Sequence, residues 1–410
     1  MDSLTQVVLG AAVGEAVLGR KVGNRAMVWG GLAGTLPDLD VLSGLVTDPM
    51  SALAYHRAFT HSLPFALLAA PLLGLVVHRL YGGHSGPDLP GRWLFPLYIG
   101  LFWLLLLTGS YLMPIEVYGI PAIVTVVSGS FVLLGGLVLL LQKWRGTLTN
   151  GPNASLAGWT ALFFGCIVTH PLLDCFTSYG TQFFEPFSRI RLAWNTVSVV
   201  DPLYTFPFLL LLLLAARFGR RARERRWLNR AGLVISTGYL LLTVFNAFRV
   251  GQVVEQSIAH SDLPVIERSF YGPTLGNNIL WTATLQDTAD NYYLGQYSFL
   301  DAQPRLDPLL KVPGNHDKVQ AYLRDRDLKI LTWFTDGYYT VLPGGQNRVV
   351  LCDLRYGLLG RDPLDPGSYT FNWTIDTGSR PARVVPDASA TRPDMGSALT
   401  DLWERLKGLK

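Results

Sequence analysis

A chain of 410 residues that is 49% hydrophobic, only 16% charged and has a mean hydropathy of +0.27 is too apolar for an ordinary soluble protein of this size. Its net charge of +4 is no nucleic-acid signature, because the arginine excess lies in one segment, 217–230, with seven Arg against a single Glu224. Cys166, Cys175 and Cys352 show no CxxC spacing, so buried thiols fit better than a disulfide framework or a thiolate metal site.

Met1-Asp2 lacks a basic n-region and Glu15 interrupts the first apolar stretch, so no secretory signal is expected there. Segments 4–18 and 22–36 are Gly- and Ala-rich, flank Arg20 and Lys21, and fall short of the ~20 residues of a full span. They predict a re-entrant or closely packed helical hairpin, with small residues such as Gly10, Gly14, Gly30 and Gly34 at the contact. Glu15 reads either as a hydrogen-bonding group inside that hairpin or as a residue in or beside a ligand set.

Pro37 ends the second segment, and Asp38 and Asp40 follow on a turn. Alone, an Asp-x-Asp after proline is also ordinary turn chemistry. His56 and His61 are five apart, about 140° around a helix, so a loop entering an apolar helix over 63–77 fits better than a zincin-type helical pair. Arg57 between them suits either an anionic substrate group or an ion pair with Asp38 or Asp40. Beyond it, His78 and His84 read as loop residues without a role.

Stretches 94–112 and 120–142 carry no charge, and each is near the length of a span. The apolar run 158–176 contains His170-Pro171-Leu172-Leu173-Asp174, where an imidazole and a carboxylate share a helix face about 40° apart. Ionisable groups inside a membrane helix mark a functional site by default, although such a pair on its own also fits a structural hydrogen bond between helices. With the upstream residues it makes three imidazoles and three carboxylates, an oxygen-and-nitrogen set suited to Zn²⁺, Mn²⁺ or Fe²⁺. A hydroxyl- and aromatic-rich connection then reaches Asp201, placed as a substrate-binding loop would be.

Spans over 203–216 and 231–248 flank the arginine segment. Placing that segment in the cytoplasm puts every other basic loop inside and gathers Asp38, Asp40, His56, His61, Asp174 and Asp201 at the outer face. Positions more than a hundred residues apart thus converge on one side of the membrane.

The remainder is soluble in character. Segments 279–286, 292–300, 329–334, 338–342, 348–354 and 368–375 alternate or are β-branched and aromatic between turn residues, predicting a small antiparallel β-domain. Leu399, Leu402, Trp403 and Leu406 form a helical stripe docked on that domain or on the membrane surface. The expected organisation is a mainly α polytopic bundle of six to eight membrane helices over 1–250, then an extracytoplasmic β-rich domain over 251–410.

Met1-Asp2-Ser3-Leu4-Thr5, Pro37-Asp38-Leu39-Asp40, His56-Arg57-x-x-Thr60-His61-Ser62, His170-Pro171-Leu172-Leu173-Asp174, Tyr179-Gly180-Thr181 and Asp201-Pro202 together resemble the YdjM-like family, described as LexA-regulated, membrane-bound metal-dependent hydrolases. The likeness covers about the first 205 residues, and Asp353-Leu354-Arg355-Tyr356-Gly357 looks like the extension of longer members. It implies a multi-pass bacterial or archaeal protein of the cell membrane with a metal-dependent hydrolytic site. Residue by residue it points to Asp38, Asp40, His56, His61, His170 and Asp174 as the metal pool. Many members carry His where this chain has Gln6, so one imidazole is missing if that His is a ligand.

The expected activity is metal-assisted hydrolysis at the outer face, with Zn, or else Mn or Fe, lowering the pKa of a bound water. Asp40 or Asp174 is the candidate general base and Arg57 the candidate anion-holder, with Arg189 or Arg191 assisting. The substrate expected is a membrane lipid or lipid-linked phosphoester, and nucleic acid is not. Two rival classes remain: a transporter or ion-conducting protein using the same residues, and a non-catalytic anchor displaying the β-domain. No inverted repeat of the motifs supports the former.

Overall fold

The computed structural model describes residues 1–45, 47–81, 153–386 and 395–409. The chain divides into two compact units, Met1–Trp194 with Pro202–Tyr239, and Asn195–Asp201 with Leu240–Lys410.

The first unit opens with the expected hairpin, helices α1 (Ser3–Val22) and α2 (Asn24–Thr35). Asp2 caps α1 by accepting from the Thr5 N–H. The break falls at Gly23, whose φ of 66° favours glycine, rather than at Arg20 and Lys21; these bases stay inside the last turn, where they suit the helix dipole. The two helices approach so closely at Gly10 and Gly30 that a Cβ on either would collide with the other's carbonyl oxygen.

A 3₁₀ segment, Pro37–Leu45, carries Asp38 and Asp40, and α3 (Pro49–Tyr55), capped by Asp48, leads to a short 3₁₀ turn at Phe59–His61. Helix α4 (Leu63–Leu80) starts at the Ser62 cap and packs along α5 (Leu156–Asp174). Leu18, Val22, Ala66, Leu73, Trp159 and Phe163 lie in the shared core. Helix α6 (Pro202–Ala216) packs on α1, where the Thr5 and Thr205 hydroxyls bond each other.

Among the described residues, three helices are long and apolar enough to cross a membrane: α4, α5 and α7 (Arg223–Ala259); α6 is apolar but shorter. The expectation of six to eight spans exceeds what the described residues carry. Its uncharged stretches 94–112 and 120–142, like His84, lie outside the described residues. Helix α7 is also longer than the predicted 231–248. Its 37 residues extend about 55 Å at ~1.5 Å per residue, well beyond a ~30 Å hydrocarbon core.

In the second unit the end of α7 supplies Val250, Val253 and Val254 to a core with Trp281, Ala283 and Leu285. Two four-stranded antiparallel sheets follow in plain meander order. One runs β1 (Ile266–Pro273), β2 (Leu280–Asp287), β3 (Asn291–Ser298) and β4 (Leu310–Pro313). The other runs β5 (Tyr339–Pro343), β6 (Arg348–Asp353), β7 (Asn372–Asp376) and β8 (Arg383–Val385).

One expected strand is a helix instead. Residues 329–334 lie in α8 (Arg326–Phe334), which buries Leu328, Ile330, Leu331 and Phe334. The β-branched Ile330 and Thr332 suggested a strand, but burial at 328, 331 and 334 has helical spacing. Strands β1, β4 and β8 escaped the sequence reading; β4 and β8 are short edge strands, and β1 exposes most of its first half. The C-terminal stripe is a helix, α9 (Met395–Leu406), held by Arg405 on both carboxylate oxygens of Asp301.

Candidate metal centre

Four side chains from three segments converge inside the first unit: Asp38 from the 3₁₀ segment, His61 from the turn before α4, and His170 and Asp174 from α5. One nitrogen or oxygen of each lies within 4.8 Å of all the others. His61 Nε2 and His170 Nε2 are 3.1 Å apart. Asp38 Oδ1 stands 3.5 Å from the first and 3.4 Å from the second, and Asp174 Oδ2 stands 3.5 Å from each. A tetrahedron of ligands at ~2.0–2.1 Å has edges of about 3.3–3.4 Å, so these spacings are those of a ligand cage.

Protonation sharpens that reading. His170 Nδ1 faces the Gly34 carbonyl, which only accepts, so Nδ1 carries a proton, and in the neutral imidazole Nε2 presents a lone pair. His61 Nδ1 lies 3.2 Å from Asp40 Oδ2 and 3.2 Å from Thr60 Oγ1, which itself donates to Asp40. That nitrogen is also the protonated one, and its Nε2 is a second lone pair. Two such lone pairs 3.1 Å apart, with two carboxylate oxygens beside them, repel unless a metal cation or a shared proton lies among them. Asp174 Oδ2 has no hydrogen-bond donor among the described residues, whereas Oδ1 takes the Gln6 amide and the Met1 amino group. Arg57 Nε lies 3.3 Å from Oδ2, in ion-pair range but outside hydrogen-bond geometry.

Asp40 and His56 stand one hydrogen bond outside the four. Asp40 Oδ1 bonds His56 Nδ1 at 2.9 Å, while Oδ2 receives the Arg57 N–H at 2.8 Å and orients His61. Carboxylate–imidazole contacts of this kind fix the tautomer of a metal-binding histidine. Burial pushes the Asp38 and Asp40 carboxyls up, but contacts with His170 and His61 for Asp38, and with His61 and His56 for Asp40, outweigh it. Both are held well below the usual carboxylate range. The His56 ring meets Tyr179 edge to face, and with its side chain 26% exposed it joins Asp38, at 20%, as the solvent-side members.

The Arg57 side chain pairs with Asp174 rather than Asp38 or Asp40, donates to Thr177 Oγ1 at 2.9 Å and lies over the Tyr179 ring. Its backbone at φ 59° is left-handed, a conformation costing ~1–3 kcal/mol that persists here because both the N–H and the guanidinium are tied down. Glu15 is away from the four and pairs with Arg225. Asp201 belongs to the other unit.

Sequence reading missed Gly34, Thr60 and Thr177 as supports. Gly34 was in principle findable: the last carbonyls of a helix ending before Pro37 lack intrahelical partners. Gln6 places its amide on Asp174 Oδ1 at 3.0 Å and on the His170 carbonyl at 3.3 Å.

Apolar helices around a buried His/Asp cluster define a membrane protein with a cluster compatible with metal binding. More particularly, the chain belongs to the YdjM inner membrane protein family, whose model matches residues 1–250. Searches of curated proteins and of solved structures return no match.

Proposed function

We propose that this protein is a multi-pass, metal-dependent hydrolase of the inner membrane, acting on a lipid or lipid-linked phosphoester. The β-rich domain and the site face the extracytoplasmic side in this reading, which the distribution of basic loops supports. The observation that carries the reading is the pair of imidazole Nε2 atoms facing each other at 3.1 Å beside an Asp174 Oδ2 that has no hydrogen-bond donor among the described residues.

Asp38, His61, His170 and Asp174 would hold a divalent cation, Zn²⁺ or, among oxygen- and imidazole-tolerant ions, Mn²⁺ or Fe²⁺. Bound there, the ion would supply Lewis acidity toward an ester oxygen and toward water. The chain's own groups do the rest. Asp40 locks the His61 tautomer and, through its bond to His56 Nδ1, leaves His56 Nε2 as the proton acceptor nearest the opening. Arg57 balances the charge of Asp174 and, with Thr177, keeps that carboxylate turned toward the imidazoles. Asp38, the partly exposed member of the four, is where a substrate oxygen enters.

The test is hydrolysis of phospholipid and polyprenyl-phosphoester substrates by protein in proteoliposomes. The reading predicts product release that chelator abolishes and Zn²⁺ or Mn²⁺ restores. Absence of turnover on every such substrate by metal-loaded protein overturns the hydrolase reading.

A further inference from the structure

The two segments that rim the four-residue cluster also expose large apolar side chains. On the 3₁₀ segment, Val41 is 58% and Leu45 81% exposed, directly beyond Asp38 and Asp40. On the loop after α5, Phe187 is 69% and Ile190 66% exposed, with Phe184 and Trp194 exposed beside them. This loop is pinned to the site. The Gln182 N–H donates to the Arg57 carbonyl at 3.0 Å, the Gln182 amide to the Ala54 carbonyl at 3.2 Å, and the Leu63 N–H to the Phe183 carbonyl at 3.0 Å. These bonds hold the start of the loop that carries Phe184, Phe187 and Ile190 against the segment of Arg57.

Facing water, each would forgo about 1.5–3 kcal/mol of burial. A cluster of such residues around a polar opening marks a contact surface rather than chance exposure. Leu203 and Phe206, in the first turns of the apolar helix α6 of the same unit, are exposed as well. Aromatic and aliphatic side chains at the end of apolar helices are what the headgroup–acyl boundary selects.

We infer that the segments around Val41–Leu45 and Phe184–Trp194 form a collar seated in the lipid headgroup region, so that the opening beside Asp38 and His56 faces bilayer rather than bulk water. The occupant is the membrane itself. The consequence for substrate, which rests on the hydrolase reading above, is that an amphiphile reaches the cluster by lateral movement in its leaflet, with its apolar tail along Phe187 and Ile190.

The experiment measures depth and needs no turnover. Phe187→Cys and Leu45→Cys are labelled with an environment-sensitive fluorophore in the full-length protein; the three native cysteines are buried. Labelled protein is placed in phosphatidylcholine–phosphatidylglycerol vesicles carrying nitroxide at the headgroup, at acyl carbon 5 or at acyl carbon 12, with iodide as the aqueous quencher. Both labels should be quenched at least twofold more by the headgroup and carbon-5 nitroxides than by carbon 12, and only weakly by iodide. Strong iodide quenching without nitroxide quenching places the collar in water and overturns the proposal. Protection from both quenchers, with energy transfer between differently labelled copies, shows a second copy covering the patch and overturns it too. Metal content of the same labelled proteins is read in parallel. Loss of metal binding with the nitroxide pattern intact would remove the hydrolase reading and leave the collar standing.

Discussion

Glu15 and Arg225 meet inside the helical unit much as Asp174 and the two imidazoles do, yet the two places are built to opposite ends. The Arg225 guanidinium reaches both oxygens of Glu15, and its remaining N–H groups go to Asn24 Oδ1 and the Phe218 carbonyl. Asn229 adds a bond to the Ala12 carbonyl. The carboxylate and the guanidinium match each other there, although Asn229 Oδ1 has no partner among the described residues, and the pair ties α1 to the start of α7. At the other place acceptors face acceptors: two imidazole lone pairs, Asp38 Oδ1 and a donor-free Asp174 Oδ2. Burial alone therefore does not distinguish a clamp from a site. The balance of donors against acceptors does.

Breaking the clamp should have the largest effect on the fold. Glu15→Ala leaves a buried guanidinium unpaired, which costs ~3–5 kcal/mol, and should lower the thermal midpoint in detergent sharply. Metal bound per folded molecule should stay unchanged. Replacing both partners by Leu and Met should recover most of the loss. A Glu15→Ala protein that is stable but metal-free would erase the distinction between the two places.

The site should respond in the reverse sense. In metal-free protein His170→Ala removes one of the opposed acceptors, so the variant should melt no lower than metal-free wild type. Adding metal at about 100 times its Kd should stabilise wild type by ~2.7 kcal/mol and the variant by far less. Scanning calorimetry with and without Zn²⁺ reads both arms.

Asp40 and His56 sharpen the comparison further, because they support the cluster without belonging to its four donors. Asp40→Asn should weaken metal binding by about 10–100-fold, as loss of an orienting carboxylate does. His56→Ala should keep metal at nearly wild-type affinity. Equal loss from both in a competitive chelator titration would move His56 into the ligand set.

How much of this was legible in the chain follows from physics that is local or not. His170 and Asp174 could be paired from helix geometry alone, and the loop charges suggested one side of the membrane for the other site residues. Which of them share a point could not be read. The lone-pair clash depends on Gly34 and Asp40 each claiming an Nδ1, and those contacts span 136 residues in one case and fall on a 3₁₀ turn in the other. Glu15 likewise looked like a ligand candidate because Arg225, its partner 210 residues on, lay in what read only as a basic loop. In the second unit, five of the six proposed strands overlap strands of the two sheets. The sixth failed because the side chains of Ile330 and Thr332 are β-formers, while α8 is held by burial at helical spacing.

The smallest effect concerns a carboxyl in neither place. Glu185 is fully buried and neither oxygen has a hydrogen-bond partner among the described residues. Burial pushes its pKa from 4.5 up to about 8, only partly opposed by Arg189. The folded chain thus keeps a proton that the unfolded chain has released. Stability from this group is full below pH 4.5, declines as pH rises and is lost above about 8. Glu185→Gln should flatten that slope in melts recorded across the window, raising the midpoint at the alkaline end alone.

Elemental analysis of detergent-purified protein, incubated with Zn²⁺, Mn²⁺ or Fe²⁺ and freed of excess, tests the central claim most directly. Wild type should retain one of these ions in equimolar amount, while His170→Ala and Asp38→Ala, folded and membrane-inserted, should retain almost none. Wild type that binds none of the three, or point variants that keep the full complement, would mean that the imidazoles share a proton and that the cluster is a structural pair like Glu15 and Arg225.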